Sequence, residues 1–230
     1  MRQATKRDLR KHWNSLTAIE RAGLCEYPGL AQLAYIPAKT IDKRIVVALK
    51  AQQSLILRLL VRRPLPTRHL CNMQIDHNLR CANGRWMIQF RAGELNASVH
   101  QSTRGYRVSF PEDLVQQLEE FLTIWRPMLP GSDLPEIFTS LTGRPYSRSA
   151  LNNAVRKVVR THTGHAIDVK QVRTIWAIEF LKTTGDFVAA AEVLGETTDT
   201  VVRRFGHLRR AEPGALADTF WARHIAPTLK

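Results

Sequence analysis

The stretch DVKQVRTIWAIEFLKTTGDFVAAAEVLGETTDTVVRRFGH, residues 168–207, decides the fold. It spells three helices with their punctuation. Asp168 with Gln171 three residues on is a capping box, in which each side chain satisfies a backbone N–H that the helix start leaves open. The helix it opens carries Val172, Ile175, Trp176 and Phe180 at helical spacing, and Gly185 stops it. Asp186 caps a short apolar helix that ends at Gly195. Thr197 or Thr198 caps a third, which holds Arg203, Arg204 and Phe205. Lys170 and Arg173 stand one turn apart, so both heads are expected on the same side of their helix.

Upstream, Ser147 or Ser149 opens a helix that runs through Val159 and ends near Gly164. Pro127, Pro130, Gly131 and Pro135 make the loop before it. Pro111-Glu112-Asp113 starts another helix, through Phe121 and Trp125. Strand formers lie before that. Trp86 to Phe90 is one strand, preceded by the turn pair Asn83-Gly84. A second is expected near Ala97 to His100 and a third near Tyr106 to Phe110. Asp42 caps a helix through Val46, Val47 and Leu49. Ala51 to Val61 is mostly apolar, hence buried, until Pro64 and Pro66 break it. Residues 1–40 are a basic lead in which Arg7 to Ala22 is expected to be helical. The fold class is therefore α+β, mostly α, with one small antiparallel three-stranded sheet. The expected organisation is 1–40 as an N-terminal segment, 41–212 as the main domain and 213–230 as a tail.

Lys plus Arg number 34 against 20 Asp plus Glu, a formal charge of +14 in 230 residues. A folded chain this basic points to a polyanion, with nucleic acid first. No lysine occurs between Lys50 and Lys157, while arginines are frequent there, and arginine's planar fork suits phosphate oxygens. Three cysteines (Cys25, Cys71, Cys81) without a C-x-x-C pair fit reduced thiols and a cytoplasmic protein, nucleoid-associated in a bacterium. The spacing of His69, Cys71, His77 and Cys81 matches no common zinc framework, so neither metal nor cofactor is expected. No apolar run reaches spanning length, and no membrane partner is expected.

With Arg63 upstream, Lys170-Gln171-Val172-Arg173, Leu194-Gly195-Glu196 and Arg203-Arg204-Phe205-Gly206-His207 follow the order and spacing of one known signature. Over roughly residues 40–210 the chain resembles the tyrosine recombinase (phage integrase) family, in its catalytic domain. Arg63, Leu70 and Ile75 fit the first family box, whose acidic residue is missing here. Lys170 and Arg173 stand in the His-x-x-Arg box, and Glu196 replaces the histidine of Leu-Gly-His. Nine residues beyond Glu196, where the family carries its nucleophilic tyrosine, stands Phe205.

The resemblance implies a site of Arg63, Lys170, Arg173, Glu196 and Phe205, with Arg63 and Arg173 gripping a phosphate. It also implies a DNA-binding surface of Arg63, Arg91, Arg104, Lys170, Arg173, Arg203 and Arg204. In active relatives the tyrosine attacks the scissile phosphate and a hairpin lysine protonates the leaving oxygen. A phenylalanine ring has no oxygen to attack with, and the nearby Arg91 and Arg104 are poor proton donors. Glu196 would repel a phosphate about 4 Å away by roughly 4 kcal/mol, at an effective dielectric near 20. It could instead pair with Arg63 or Arg173.

The expectation is a catalytically inactive DNA-binding relative, an accessory of active recombinases or of a mobile element. One alternative is an active recombinase carrying a Tyr→Phe change at 205. Several departures besides Phe205 favour natural loss. The other alternative is a protein-interaction module that kept the fold. Taken singly, Arg63 reads as a surface cation, Lys170 as a solvated helix start, Arg173 as a buried ion-pair partner and Phe205 as core packing. Only the joint spacing points to a site. The family's separate helical DNA-binding module has no counterpart in the 40 residues upstream, so weak, salt-sensitive duplex binding is expected. Leu216, Phe220, Trp221 and Ile225 on the tail would dock on a neighbouring subunit or fold back on their own.

Overall fold

A computed structural model describes residues 15–34, 41–94 and 105–208. Its helices are α1 (Ser15–Glu26), α2 (Gly29–Ala34), α3 (Ile41–Arg62), α4 (Thr67–Cys71), α5 (Val115–Glu120), α6 (Arg148–Thr163), α7 (Val169–Thr184), α8 (Phe187–Leu194) and α9 (Thr198–Phe205). One antiparallel sheet of order β1-β2-β3 comprises Leu79–Ala82, Arg85–Phe90 and Tyr106–Ser109.

The axis of the main core is α3. The separate expectations around Asp42 and Ala51 merge into one helix, because nothing between them breaks it. Ala48, Ala51, Leu55, Ile56, Leu59 and Leu60 on this helix are all buried. Helix α1 lies so close along it that a Cβ on Gly23 would sit 2.7 Å from the Arg58 side chain. The Ser54 hydroxyl donates to the Gly23 carbonyl at 2.6 Å across the same contact. Glu20 on α1 pairs with Arg58 at 2.8 Å and Arg62 at 2.6 Å, and Arg62 reaches Asp113 at 2.6 Å.

The hairpin turns at Asn83 (φ 51) and Gly84 (φ 71), which close the Ala82–Arg85 pair as a two-residue loop. Leu79–Ala82 is a strand that the sequence reading missed. Only Leu79 in it is buried, so it shows no alternation. The expected strand near Ala97 to His100, Arg104, the lead before residue 15 and the tail at 213–230 lie outside the described residues. Pro111 leads into a 3₁₀ turn, then α5, then a π-helical turn (Phe121–Trp125) that seats Phe121 and Trp125 in the core.

The last helices follow their caps. Ser147 accepts from the Ala150 N–H, Asp168 from Gln171, Asp186 from Ala189 and Thr197 from Thr200. The left-handed glycines 164, 185 and 195 close α6, α7 and α8. Helix α7 is apolar on two faces. Val172 and Ile175 join the main core. Ala177, Ile178 and Leu181 build a second, smaller core with Ala190, Ala191, Leu194, Val201 and Phe205.

Candidate nucleic-acid interface

The break after α3 and the start of α7 meet at Pro64. The Arg173 guanidinium crosses from α7 and donates through Nη1 to the Pro64 carbonyl, next to Arg63. Its Nη2 donates to the Leu194 carbonyl at 3.1 Å and to Glu196 Oε1 at 2.7 Å. The side chain is only 12% exposed. Burial lowers the Arg173 pKa from its ordinary value, and the Glu196 carboxylate works in the opposite direction.

Glu196 takes a second cation. Arg204 Nη1 donates to Glu196 Oε1 at 3.0 Å and Oε2 at 2.7 Å. The carboxylate thus bridges the guanidiniums of α7 and α9. Of the two partners considered from sequence, Arg173 is the one found; Arg204 is an addition.

Arg63 is held by neutral oxygens. Its Nε donates to the Ser109 carbonyl at 3.0 Å and its Nη1 to the Arg62 carbonyl at 3.0 Å. Both Arg63 and Arg173 act on the Tyr106 phenol. Burial drives that phenol above its ordinary pKa and the two cations pull against it. Tyr106 donates its hydroxyl to the Val193 carbonyl at 3.1 Å, and its ring lies 3.2 Å from where a Gly195 Cβ would be. The close approach and a φ of +64 both favour glycine at 195. Beside this ring is His69, buried on Phe90 at 4.4 Å between centroids. Burial lowers its pKa to about 4, with the Arg173 and Arg68 cations adding to the effect.

The expectation that Lys170 and Arg173 present their heads together needs correction. Lys170 is exposed on the first turn of α7, while Arg173 is folded inward onto Pro64 and Glu196. Residues three apart on a helix are offset by about 60°, and the acceptors lie on the inner side of that offset.

Phe205 ends α9 in the second core at 4% exposure, with the Arg204 guanidinium carbon 4.9 Å from its ring centre. Arg203 is exposed and pairs with Asp199 at 3.5 Å. Arg91 is exposed just after β2, where its N–H donates to Glu94 Oε2 at 2.7 Å. His69 and Cys71 are buried whereas Cys81 is exposed on β1. Among the described residues no three His, Cys, Asp or Glu side chains group as a metal site, and no helix is long and apolar enough to cross a membrane.

One feature escaped the sequence reading. Arg156, Lys157 and Arg160 are exposed on α6 and, with Asn153, Thr161 and Ala166, line a recess of about 490 Å³. Arg156 Nη2 donates to Asp168 Oδ2 at 2.9 Å, which ties this basic face to the start of α7 beside exposed Lys170. The spacing i, i+1, i+4 of these cations was visible, but it reads equally as an ordinary solvated helix face.

No protein-family model matches the sequence, and no curated protein matches it either. The fold, helical with one small three-stranded sheet, is that of the tyrosine recombinase catalytic domain. Two similar solved structures are XerH site-specific recombinase complexes with difH substrates. The pre-cleavage complex is 12% identical with a TM-score of 0.60, covering 90% of this chain and 52% of that one. The post-cleavage complex with palindromic difH is 14% identical with a TM-score of 0.58, covering 90% and 51%. A XerA recombinase is 16% identical with a TM-score of 0.53, covering 83% of this chain and 65% of its own. The chain spans about half the length of the XerH proteins it matches.

Proposed function

We propose that this chain binds duplex DNA without cutting it, as an accessory in site-specific recombination or in the upkeep of a mobile element. The observation that carries the reading is Phe205. It stands where the resemblance places the nucleophile, it has no hydroxyl, and it is buried in the second core. Nearby, the Tyr106 hydroxyl is buried and committed to the Val193 carbonyl, so it offers no substitute. The hairpin of β1 and β2 contains no lysine.

DNA as the partner is supported by the charge of +14 and by the exposed cations Arg156, Lys157, Arg160, Lys170 and Arg203. It is also supported by the likeness to recombinases solved on their difH substrates. An active recombinase, or a second copy reached through the tail, would add to the grip on the duplex. The site as it stands would work in the cytoplasm or on a nucleoid.

Fluorescence anisotropy on a labelled duplex tests the binding. Affinity should fall about 10³-fold or more between 50 and 200 mM salt if six or more phosphates are contacted. A nicked suicide substrate tests the chemistry: neither the natural chain nor Phe205→Tyr should form a covalent adduct. An adduct with the natural chain would end the proposal. Cleavage restored by Phe205→Tyr alone would show a recombinase one atom away from activity.

A further inference from the structure

We infer that Arg173 and Arg204 form a latent oxyanion site of the phosphodiester class, which Glu196 occupies as an internal stand-in for the phosphate. The inference rests on the DNA-binding reading for its ligand, but not for the existence of the site. The carboxylate receives three charge-assisted hydrogen bonds, at 2.7 Å from Arg173 and at 3.0 and 2.7 Å from Arg204. Carboxylate and phosphate present similar paired oxygens to a guanidinium fork, so the geometry that holds one suits the other.

Two cations drawn together where one side chain is 12% and the other 38% exposed need an anion between them. Arg173 is further anchored by Pro64 and Leu194, so it stays in place if the carboxylate leaves. Glu196 hangs on the short turn between α8 and α9, just before the cap Thr197. Arg63, held by the neutral Ser109 carbonyl, adds a further positive charge to the neighbourhood. The chain therefore keeps a phosphate-sized place filled from within, and an external phosphate must displace Glu196 to use it.

The test is Glu196→Gln, which keeps the shape and removes the charge. Two probes distinguish the sources of the anion. Sodium sulfate against sodium chloride, at matched ionic strength in thermal unfolding, reads a free oxyanion. A labelled duplex reads a backbone phosphate. E196Q should be stabilised by sulfate by several degrees more than the natural chain, and should bind the duplex about tenfold tighter. Arg204→Ala added to E196Q should remove most of either gain. Glu192→Gln, a charge removed from the exposed face of α8, should change duplex affinity less than about twofold and so excludes a mere net-charge effect.

A gain with sulfate alone assigns the site to free oxyanions, and a gain with both assigns it to the DNA backbone. No gain with either, or an equal gain in E192Q, overturns the inference. If E196Q unfolds in chloride, refolding by sulfate supports the site, and failure to refold overturns it. A natural chain that ignores the duplex, with E196Q responding to sulfate, would sink the DNA reading and leave the site standing.

Discussion

His69 and Gly195 are the single residues from which most can be asked. The His69 ring is buried with a pKa of about 4, against 6.5 ordinarily. The folded state therefore keeps it neutral while the unfolded chain takes up a proton below about 6.5. Stability from this group is complete above pH 6.5 and is lost as pH falls toward 4. The loss is at most about 3 kcal/mol. In thermal melts, His69→Phe should flatten the slope between those values. Gly195→Ala places a methyl at 3.2 Å from the Tyr106 ring in left-handed backbone. It should cost roughly 1–3 kcal/mol in urea unfolding. The surroundings of neither residue were legible beforehand. Gly195 was read as a helix stop, which it is, but the ring against it comes from a strand 89 positions earlier. The partners of Glu196 were half legible: Arg173 was one of two candidates, with Arg63, while Arg204 requires knowing how α9 turns back on α7.

At the scale of elements, the reading succeeded where signals are local. The caps Asp168 and Asp186 and the left-handed glycines 164, 185 and 195 fall where expected, and of the paired alternatives Ser147 and Thr197 are the caps, because each acts within four residues of itself. Asp168→Ala should cost about 1 kcal/mol by removing the N-cap of α7, measured by chemical unfolding. It also frees Arg156, so duplex affinity should rise slightly rather than fall. β1 was missed because its pairing comes from the turn and from β2, not from its own residues. The clasp between α1 and α3 was likewise invisible. Burial works against ionisation of Glu20, yet Arg58 and Arg62 outweigh it and hold its pKa below 4.5. Arg62 does the same for Asp113, below 3.8. Their contribution is full above those values and fades as pH falls through the lowered ones. Glu20→Gln should therefore weaken the protein at neutral pH and blunt its acid loss below about 4.5, a window that begins where that of His69 is nearly spent.

For the molecule as a whole, two cores of unequal size share one helix. Among the described residues the smaller contains eight buried ones on α7, α8 and α9, including Phe205. A small apolar cluster opens at lower free energy than a large one. Hydrogen exchange should therefore release α8 and α9 before α3. Phe205→Ala should cost about 3–5 kcal/mol if the region unfolds with the rest, and should appear as faster exchange confined to α8 and α9 if it does not.

The cation cluster straddles this division. Arg63 sits at the end of the long central helix, whereas Glu196 and Arg204 belong to the small cluster, and Arg173 on the shared helix reaches back to Pro64. Whatever negatively charged molecule spans them becomes a staple across the seam. Its arrival should slow amide exchange in α8 and α9 far more than in α3, even though α3 lies on the other side of the join.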